Sequence, residues 1–178
     1  MDFKKMLKTK LPPVLLIALA VVLDQWTKAL AVAHLKPIYT FPIIEDIFHF
    51  TYATNRGAAF SMLEDHPWVF MLVSTVAIIG MLVYLFVGKD LTALVRYPLA
   101  MVIGGGIGNM IDRVAVGYVV DFIDVRAINF AIFNVADCFV TVGAVLLFVG
   151  LLIEFRREEQ EGRAKKEREE QYDDSASA

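Results

Sequence analysis

The chain contains very little cysteine and histidine. Its 178 residues include one cysteine, Cys138, and three histidines. No intrachain disulfide can therefore form, and no Cys/His group has the spacing of a zinc site. Basic residues are not in excess either, with 17 Lys and Arg against 20 Asp and Glu, and a net charge of -3 gives no reason to expect a nucleic-acid partner. We expect neither a metal nor a cofactor.

Apolar residues, in contrast, make up 57 % of the chain, more than a soluble domain usually carries. A membrane-spanning helix needs about 20 apolar residues. Four stretches come close to that length: roughly Leu11–Ala33, Trp68–Val87, Tyr97–Ile111 and Phe133–Phe155. The third is short and rich in glycine, so its crossing needs neighbouring helices or residues past Asp112. We predict an all-α membrane protein with four transmembrane helices.

Lysine and arginine cluster at three places beside these stretches. They precede the first stretch, separate the second from the third, and follow the fourth: Lys4, Lys5, Lys8, Lys10; Lys89, Arg96; Arg156, Arg157, Arg163, Lys165, Lys166. The positive-inside rule then puts both termini in the cytoplasm. We predict one domain over residues 1–155 and, over residues 156–178, a charged cytoplasmic tail that extends the last helix before becoming disordered.

The first stretch also resembles a secretory signal peptide, with Ala31-Val32-Ala33 as a possible cleavage site. Asp24 and Lys28, spaced i and i+4, favour a retained helix with a paired polar face. Outside the membrane, the segment Phe48–Ala53 alternates with period two and predicts a short strand.

The topology brings the polar residues of the spans to one depth, the outer boundary of the membrane. These residues come from three helices and two outer loops: Asp24, Lys28; Asn109, Asp112, Arg113; Asn134, Asp137; Asp121 in one loop; Asn55, Arg56 in the other. Carboxylates near hydrocarbon are costly and usually functional. Simpler roles are open for some of them: Asn134 and Asp137 fit a helix cap, Asp24 and Lys28 fit a structural pair, and Gly104 and Gly108 fit close helix packing.

Two carboxyl groups in such a setting could share one proton, as in aspartic proteases. Asp121 and Asp137 can meet if the loop between them turns back into the fourth helix, with one acting as base towards water and the other as acid. The alternatives are a small proton-coupled transporter, a serine protease using Ser61 with Lys28 as base, and a purely structural assembly factor.

Five motifs in order resemble bacterial lipoprotein signal peptidase, also called signal peptidase II. They cover nearly all of the chain from the first span to Asp137, with no departure at a motif position: Asp24-Gln25-Trp26-Thr27-Lys28, Asn55-Arg56-Gly57-Ala58-Ala59-Phe60-Ser61, Gly105-Gly106-Ile107-Gly108-Asn109-Met110-Ile111-Asp112-Arg113, Val120-Asp121-Phe122 and Phe133-Asn134-Val135-Ala136-Asp137.

The resemblance implies an intramembrane aspartyl endopeptidase that removes the signal peptide of a prolipoprotein just before a diacylglyceryl-modified cysteine. It puts the catalytic pair on Asp121 and Asp137. The residues that would bind substrate or support the site are Asp24, Lys28, Asn55, Gly57, Asn109, Asp112, Arg113 and Asn134. We expect a monomer in the bacterial plasma membrane, in contact with lipids, whose active site lies near the outer face.

The family fold adds a small β-rich extracytoplasmic cradle, which agrees with the strand signal, and a short mobile outer helix. We expect a segment such as Asn55–Leu63 to gate the site.

Overall fold

The computed structural model describes residues 3–57, 67–88 and 91–176. Over these residues it contains four α-helices and one sheet of three strands. Their bounds are α1 Phe3–Leu30, β1 Thr40–Ile44, β2 Phe48–Asn55, α2 Pro67–Val87, α3 Ala93–Val116, β3 Val119–Asp124 and α4 Val135–Ala176. Five residues of π-helix, Ala31–Leu35, continue α1, and a short 3-10 turn, Arg126–Ile128, follows β3.

Three of the helices contain segments long and apolar enough to cross a membrane: Thr9–Leu35, Ala93–Val116 and Val135–Lys166. The apolar part of α2, Met71–Val87, is shorter. Large apolar side chains on all four helices lie exposed, as a lipid-facing surface requires: examples are Leu15, Val76, Val114 and Phe148. The chain is therefore a mostly helical membrane protein, and a fourth complete crossing by α2 stays a prediction.

The third predicted span is longer than its apolar stretch. The sequence suggested Tyr97–Ile111, whereas α3 has 24 residues and includes Asp112 and Arg113. Gly117 ends this helix with φ 81°, a left-handed conformation that glycine adopts without strain. With the extra residues α3 is long enough to cross a membrane, as expected for a span that continues past Asp112.

Helix α3 packs closely on α1 and α4 through its glycines. A Cβ atom added at Gly104 would lie 2.7 Å from Cβ of Ala20 in α1, and one added at Gly105 would lie 2.4 Å from the carbonyl oxygen of Ala136 in α4. Only glycine allows such close backbones. A Cβ atom added at Gly108 would lie 2.5 Å from Oδ2 of Asp24, so the prediction that Gly104 and Gly108 serve helix packing is confirmed.

The strands form an antiparallel sheet in the order β1-β2-β3. The predicted strand over Phe48–Ala53 is confirmed within β2, and the sheet matches the expected cradle. Asp121, however, does not lie in a loop. It belongs to β3 and is paired with Ala53 of β2, because the apolar residues around it form a strand buried along most of its length.

The charged tail continues α4 without a break as far as Ala176. The predicted helical extension is therefore present, and the disorder expected after it is not seen up to that residue. The predicted domain boundary after residue 155 falls inside this continuous helix and stays a prediction. The expected gate over Asn55–Leu63 lies mostly outside the described residues. A short outer helix was also expected, but the two short helical turns in the described connections, Ala31–Leu35 and Arg126–Ile128, do not form one.

Candidate active site

Two carboxyl groups, from β3 and from α4, lie at one end of the helix bundle. Asp121 of β3 is only 3 % exposed, and its Oδ1 accepts a hydrogen bond of 2.6 Å from Nδ2 of Asn134. The side chain of Asn55 in β2 also hydrogen-bonds to Asp121. The carboxyl group is therefore buried and held by two amides.

Asp137 lies in the first turn of α4, where it is partly buried. Its backbone N–H donates to Oδ1 of Asn134 at 3.0 Å, while the N–H of Asn134 donates to Oδ2 of Asp137 at 3.1 Å. These reciprocal bonds form a capping box, in which each side chain satisfies a free N–H of the helix end. The capping role predicted for Asn134 is confirmed.

Asn109 and Asn134 connect the two aspartates. Asn109 donates from Nδ2 to Oδ1 of Asp137 at 2.8 Å, and its Oδ1 accepts from Nδ2 of Asn134 at 3.0 Å. Asn134 in turn donates to Asp121. Each of these hydrogen bonds joins two side chains that are partly or fully buried. The two carboxyl groups therefore occupy one shared polar site.

The pKa of Asp121 is raised from 3.8 to about 6. Burial is the main cause, and the negative charge of Asp137 adds to it. Hydrogen bonds from Asn134 and Asn55 and the positive charge of Lys28 act in the opposite direction and limit the rise. Near neutral pH this carboxyl group therefore exchanges its proton easily, as an acid-base catalyst must.

Lys28 of α1 is almost completely buried beside the aspartates. Its Nζ lies 2.8 Å from Oδ2 of Asp24 and 3.1 Å from Oδ2 of Asp112, and it donates to Oδ1 of Asn109 at 2.9 Å. Asp24, fully buried, also accepts the N–H of Ala136 at 3.0 Å. The predicted pairing of Asp24 with Lys28 is present, and it is one part of a larger network that joins α1, α3 and α4.

Arg113 reaches from α3 towards the loop that follows β2. It donates to the carbonyl oxygens of Asn109 at 3.3 Å and of Gly57 at 3.5 Å, and it interacts electrostatically with both aspartates of the site. Gly57 donates its N–H to Oδ1 of Asn55 at 3.1 Å. Arg56, between them, is exposed, so this segment contributes Asn55, the last residue of β2, and Gly57 to the site.

The candidate site residues named from the sequence thus meet at one end of the bundle, except Arg56, which is exposed, and Ser61, which lies outside the described residues. One contributor was missed. Gln25 donates to Asp112, to Gly108 and to Asp24. The sequence could have indicated Gln25, since it is an uncharged polar residue in an apolar span and is three residues from Lys28, on the same helical face.

An apolar groove of about 400 Å³ lies between α2 and α3. Its lining includes Ile78, Ile79, Ile107, Met110, Ile111 and Val114. Because Met110 and Ile111 directly follow Asn109 in α3, the groove lies at the same level along this helix as the polar site.

A family model described as Signal peptidase (SPase) II, Peptidase_A8, matches residues 16–153. The chain belongs to this family. The signal peptidase II match makes it a bacterial integral membrane protease, a hydrolase of the aspartic type, and it leaves the transporter alternative without support.

Curated relatives and a solved structure agree with this family. The chain is 48 % identical over 143 residues to a protein named Lipoprotein signal peptidase from Caldanaerobacter subterraneus subsp. tengcongensis, covering 80 % of this chain and 96 % of that one. It is 42 % identical over 139 residues to a protein of the same name from Clostridioides difficile, covering 78 % and 93 %. A solved structure described as "Bacterial membrane enzyme structure by the in meso method at 2.3 A resolution" matches with a TM-score of 0.74 and 29 % identity, over 81 % of this chain and 89 % of that one.

Proposed function

We propose that this member of the signal peptidase II family acts on prolipoproteins through a pair of aspartates, Asp121 and Asp137. The observation that carries the proposal is the chain of hydrogen bonds from Asp121 through Asn134 and Asn109 to Asp137. Two carboxyl groups in one partly buried site favour a state with a single shared proton, which is the state that aspartic proteases use.

We assign the proton to Asp121, whose pKa is raised, and the base role to Asp137. Asp137 takes a proton from water, the hydroxide attacks the scissile carbonyl carbon, and Asp121 gives its proton to the carbonyl oxygen. The resulting gem-diol then collapses: Asp137 passes its proton to the leaving nitrogen, and Asp121 recovers a proton from a hydroxyl group. The carbon–nitrogen bond breaks, and both carboxyl groups return to their first state.

The amides around the pair supply orientation. Asn134 and Asn109 fix the carboxyl oxygens, so little reorganisation is needed when charge moves during attack. Arg113 lies where it can stabilise negative charge on the carbonyl oxygen or on the substrate lipid.

We propose that the substrate is cut just before a cysteine that carries diacylglycerol. Two acyl chains anchor a protein stably in a bilayer, so the protease must work at the membrane boundary. The apolar groove between α2 and α3 could take acyl chains or the apolar part of the signal peptide beside the aspartates. By the positive-inside rule, this end of the bundle faces outward and both termini are cytoplasmic.

The decisive experiment is cleavage of a diacylglyceryl-modified prolipoprotein by the purified protein in detergent. Asp121→Asn and Asp137→Asn should each lose at least a thousandfold in kcat while keeping wild-type helix content. If either variant retains more than a tenth of wild-type activity, the aspartate pair is wrong.

Two controls separate the alternatives. Ser61→Ala should keep full activity, whereas its loss would favour a serine mechanism. A substrate without the diacylglyceryl group should be cut at least tenfold more slowly, and equal rates would remove the lipid from the recognition argument.

A further inference from the structure

Gln25 joins α1 to α3 through one side-chain amide. Its Nε2 lies 2.8 Å from Oδ1 of Asp112, 3.1 Å from the carbonyl oxygen of Gly108 and 3.2 Å from Oδ2 of Asp24. The first two acceptors belong to α3, at the place where its glycines bring it against α1. Gln25 is therefore an interhelical donor beside Gly108, where an added Cβ atom would lie 2.5 Å from Oδ2 of Asp24.

Asp112, which receives the shortest of these bonds, is bound at both oxygens. Its Oδ2 accepts the backbone N–H of Val120 at 3.1 Å and lies 3.1 Å from Nζ of Lys28. Gln25 binds the other oxygen. A carboxylate fixed at both oxygens cannot rotate, so the direction in which it holds Val120 is set by Gln25 as well as by Lys28.

Val120 directly precedes Asp121 in β3. Val120 and Asp112 are both buried, so their bond is shielded from water. The bond ties the strand that carries Asp121 to α3, the helix that carries Asn109. Movement of Asp112 would therefore move the backbone beside Asp121 relative to the asparagines that orient the pair.

The chemistry of a glutamine suits this place. Lys28 is the cation shared by two buried carboxylates, Asp24 and Asp112. A neutral donor gives Asp112 a second partner without adding charge, whereas a carboxylate would add repulsion. An apolar residue would leave Oδ1 of Asp112 without the Gln25 bond in a buried site.

We propose that Gln25 is a positioning residue for Asp121 and acts through the Asp112 carboxylate and the backbone of Val120. The inference rests on the proposed role of Asp121. It predicts that Gln25 affects kcat rather than substrate binding, because Gln25 contacts Asp112, which holds the backbone of the strand that carries Asp121.

The test uses Gln25→Met, which has similar length and no donor. Thr27→Val is the matched control, because Thr27 is in the same helix but donates only to the carbonyl oxygens of Leu23 and Asp24 in that helix. Cleavage of the lipidated prolipoprotein should show kcat reduced 10- to 100-fold in Gln25→Met, with KM changed less than threefold. Thr27→Val should stay within twofold in both. Unchanged kcat in Gln25→Met would overturn the proposal.

Gln25→Glu provides a measurement, the pH dependence of activity, that would not change if Gln25 had only a structural role. At low pH the introduced carboxyl group is protonated and again offers a donor to Asp112, so activity relative to wild type should rise at least fivefold between pH 8 and pH 5. The same ratio for Gln25→Met should stay flat. A flat ratio for Gln25→Glu contradicts the proposal, and this variant serves the test even if Gln25→Met does not fold.

A double-mutant cycle checks the route. In an Asp112→Asn background the further loss caused by Gln25→Met should be less than threefold, and full additivity would exclude action through Asp112. Asp121→Asn separates the two proposals. If that variant is inactive and Gln25→Met is normal, only the positioning role fails; if Asp121→Asn is active, the proposed mechanism itself fails.

Discussion

Ionisation of Asp121 at neutral pH lowers the stability of the folded protein, because the pKa of this carboxyl group is raised. Its carboxyl group has a pKa of about 6 in the folded protein, against an ordinary value of 3.8, because burial and the charge of Asp137 oppose ionisation. Between these two pH values the folded state holds a proton that the unfolded state has released. Stability therefore falls as pH rises through this window, and the loss is complete above it.

We accordingly expect Asp121→Asn to raise the melting temperature at pH 7.5. A rise in pKa from 3.8 to about 6 corresponds to roughly 3 kcal/mol in favour of the protonated form, so a gain of several degrees should appear at pH 7.5 and vanish near pH 4. The amide at position 121 can still accept from Asn134. Thermal denaturation in detergent at both pH values measures the difference.

Asp124→Asn serves as the opposite control on the same strand. Burial alone would raise the pKa of Asp124, but hydrogen bonds from Thr51 and Arg126 outweigh it and lower the pKa. The ionised carboxylate therefore stabilises the fold above its unfolded pKa, and the stabilisation is lost as pH falls through the folded pKa. This variant should melt lower at pH 7.5. A gain in both variants would mean that the raised pKa of Asp121 is not the cause.

At the scale of elements, the geometry of the site depends on how closely α3 approaches α4. A Cβ at Gly105 would lie 2.4 Å from the carbonyl oxygen of Ala136, which belongs to the backbone and cannot rotate away. Ala136 directly precedes Asp137. Any separation of the helices at this point also separates Asp137 from Asn109.

Gly105→Ala should therefore lower both stability and activity, with a drop in melting temperature of at least 5 °C and in kcat of at least tenfold. Gly80→Ala in α2 is the matched control, since nothing lies within 4 Å of a Cβ added there. That change should be neutral or slightly stabilising, because alanine favours helix by about 1 kcal/mol over glycine. Equal effects of the two substitutions would show that close packing at Gly105 is not required.

The helices were predictable from the sequence, but two of the three strands were not. Apolar runs of membrane length identify the helices almost by themselves. Strand β1 contains Pro42, which argues against a strand unless it is at an edge, and β1 is indeed one of the two edge strands, with an irregularity after Pro42. In β3 the acids Asp121 and Asp124 interrupt the apolar pattern that would have indicated a buried strand.

Most residues of the candidate site were also predictable from the sequence, for a reason similar to that for the helices. Carboxylates and asparagines stand out in an apolar chain, and topology gives their depth. Which atoms bond to which is a property of the packed bundle: the route from Gln25 through Asp112 to Val120 joins residues up to 95 positions apart along the sequence. No local pattern contains that information.

For the whole molecule, the charged tail stands apart from the part that carries the site. The family match ends at residue 153, just before Glu154, which hydrogen-bonds to Thr92 near the start of α3. Beyond it, α4 continues with nearly all described side chains exposed, and Arg163 pairs with Glu159 of the same helix. The Arg163–Glu159 pair lies within the tail itself, whereas Glu154 is bonded to the bundle.

A chain that ends at Gln160 should therefore cleave substrate normally. We expect kcat/KM within twofold of the full chain and a melting temperature within 2 °C. Glu154→Ala, which removes the bond to Thr92, is the comparison and should melt lower than the shortened chain. A tenfold loss of activity on shortening would assign the tail a part in the reaction.

The unbroken course of α4 also sets a distance. At about 1.5 Å per residue, its 42 residues extend about 63 Å, while the hydrocarbon layer is about 30 Å thick. The helix is therefore roughly twice as long as the hydrocarbon layer is thick, and Ala176 lies at the opposite end of α4 from Asp137. A fluorophore or an affinity handle attached there would report on the protein, or fix it to a surface, without standing in the path of an arriving substrate.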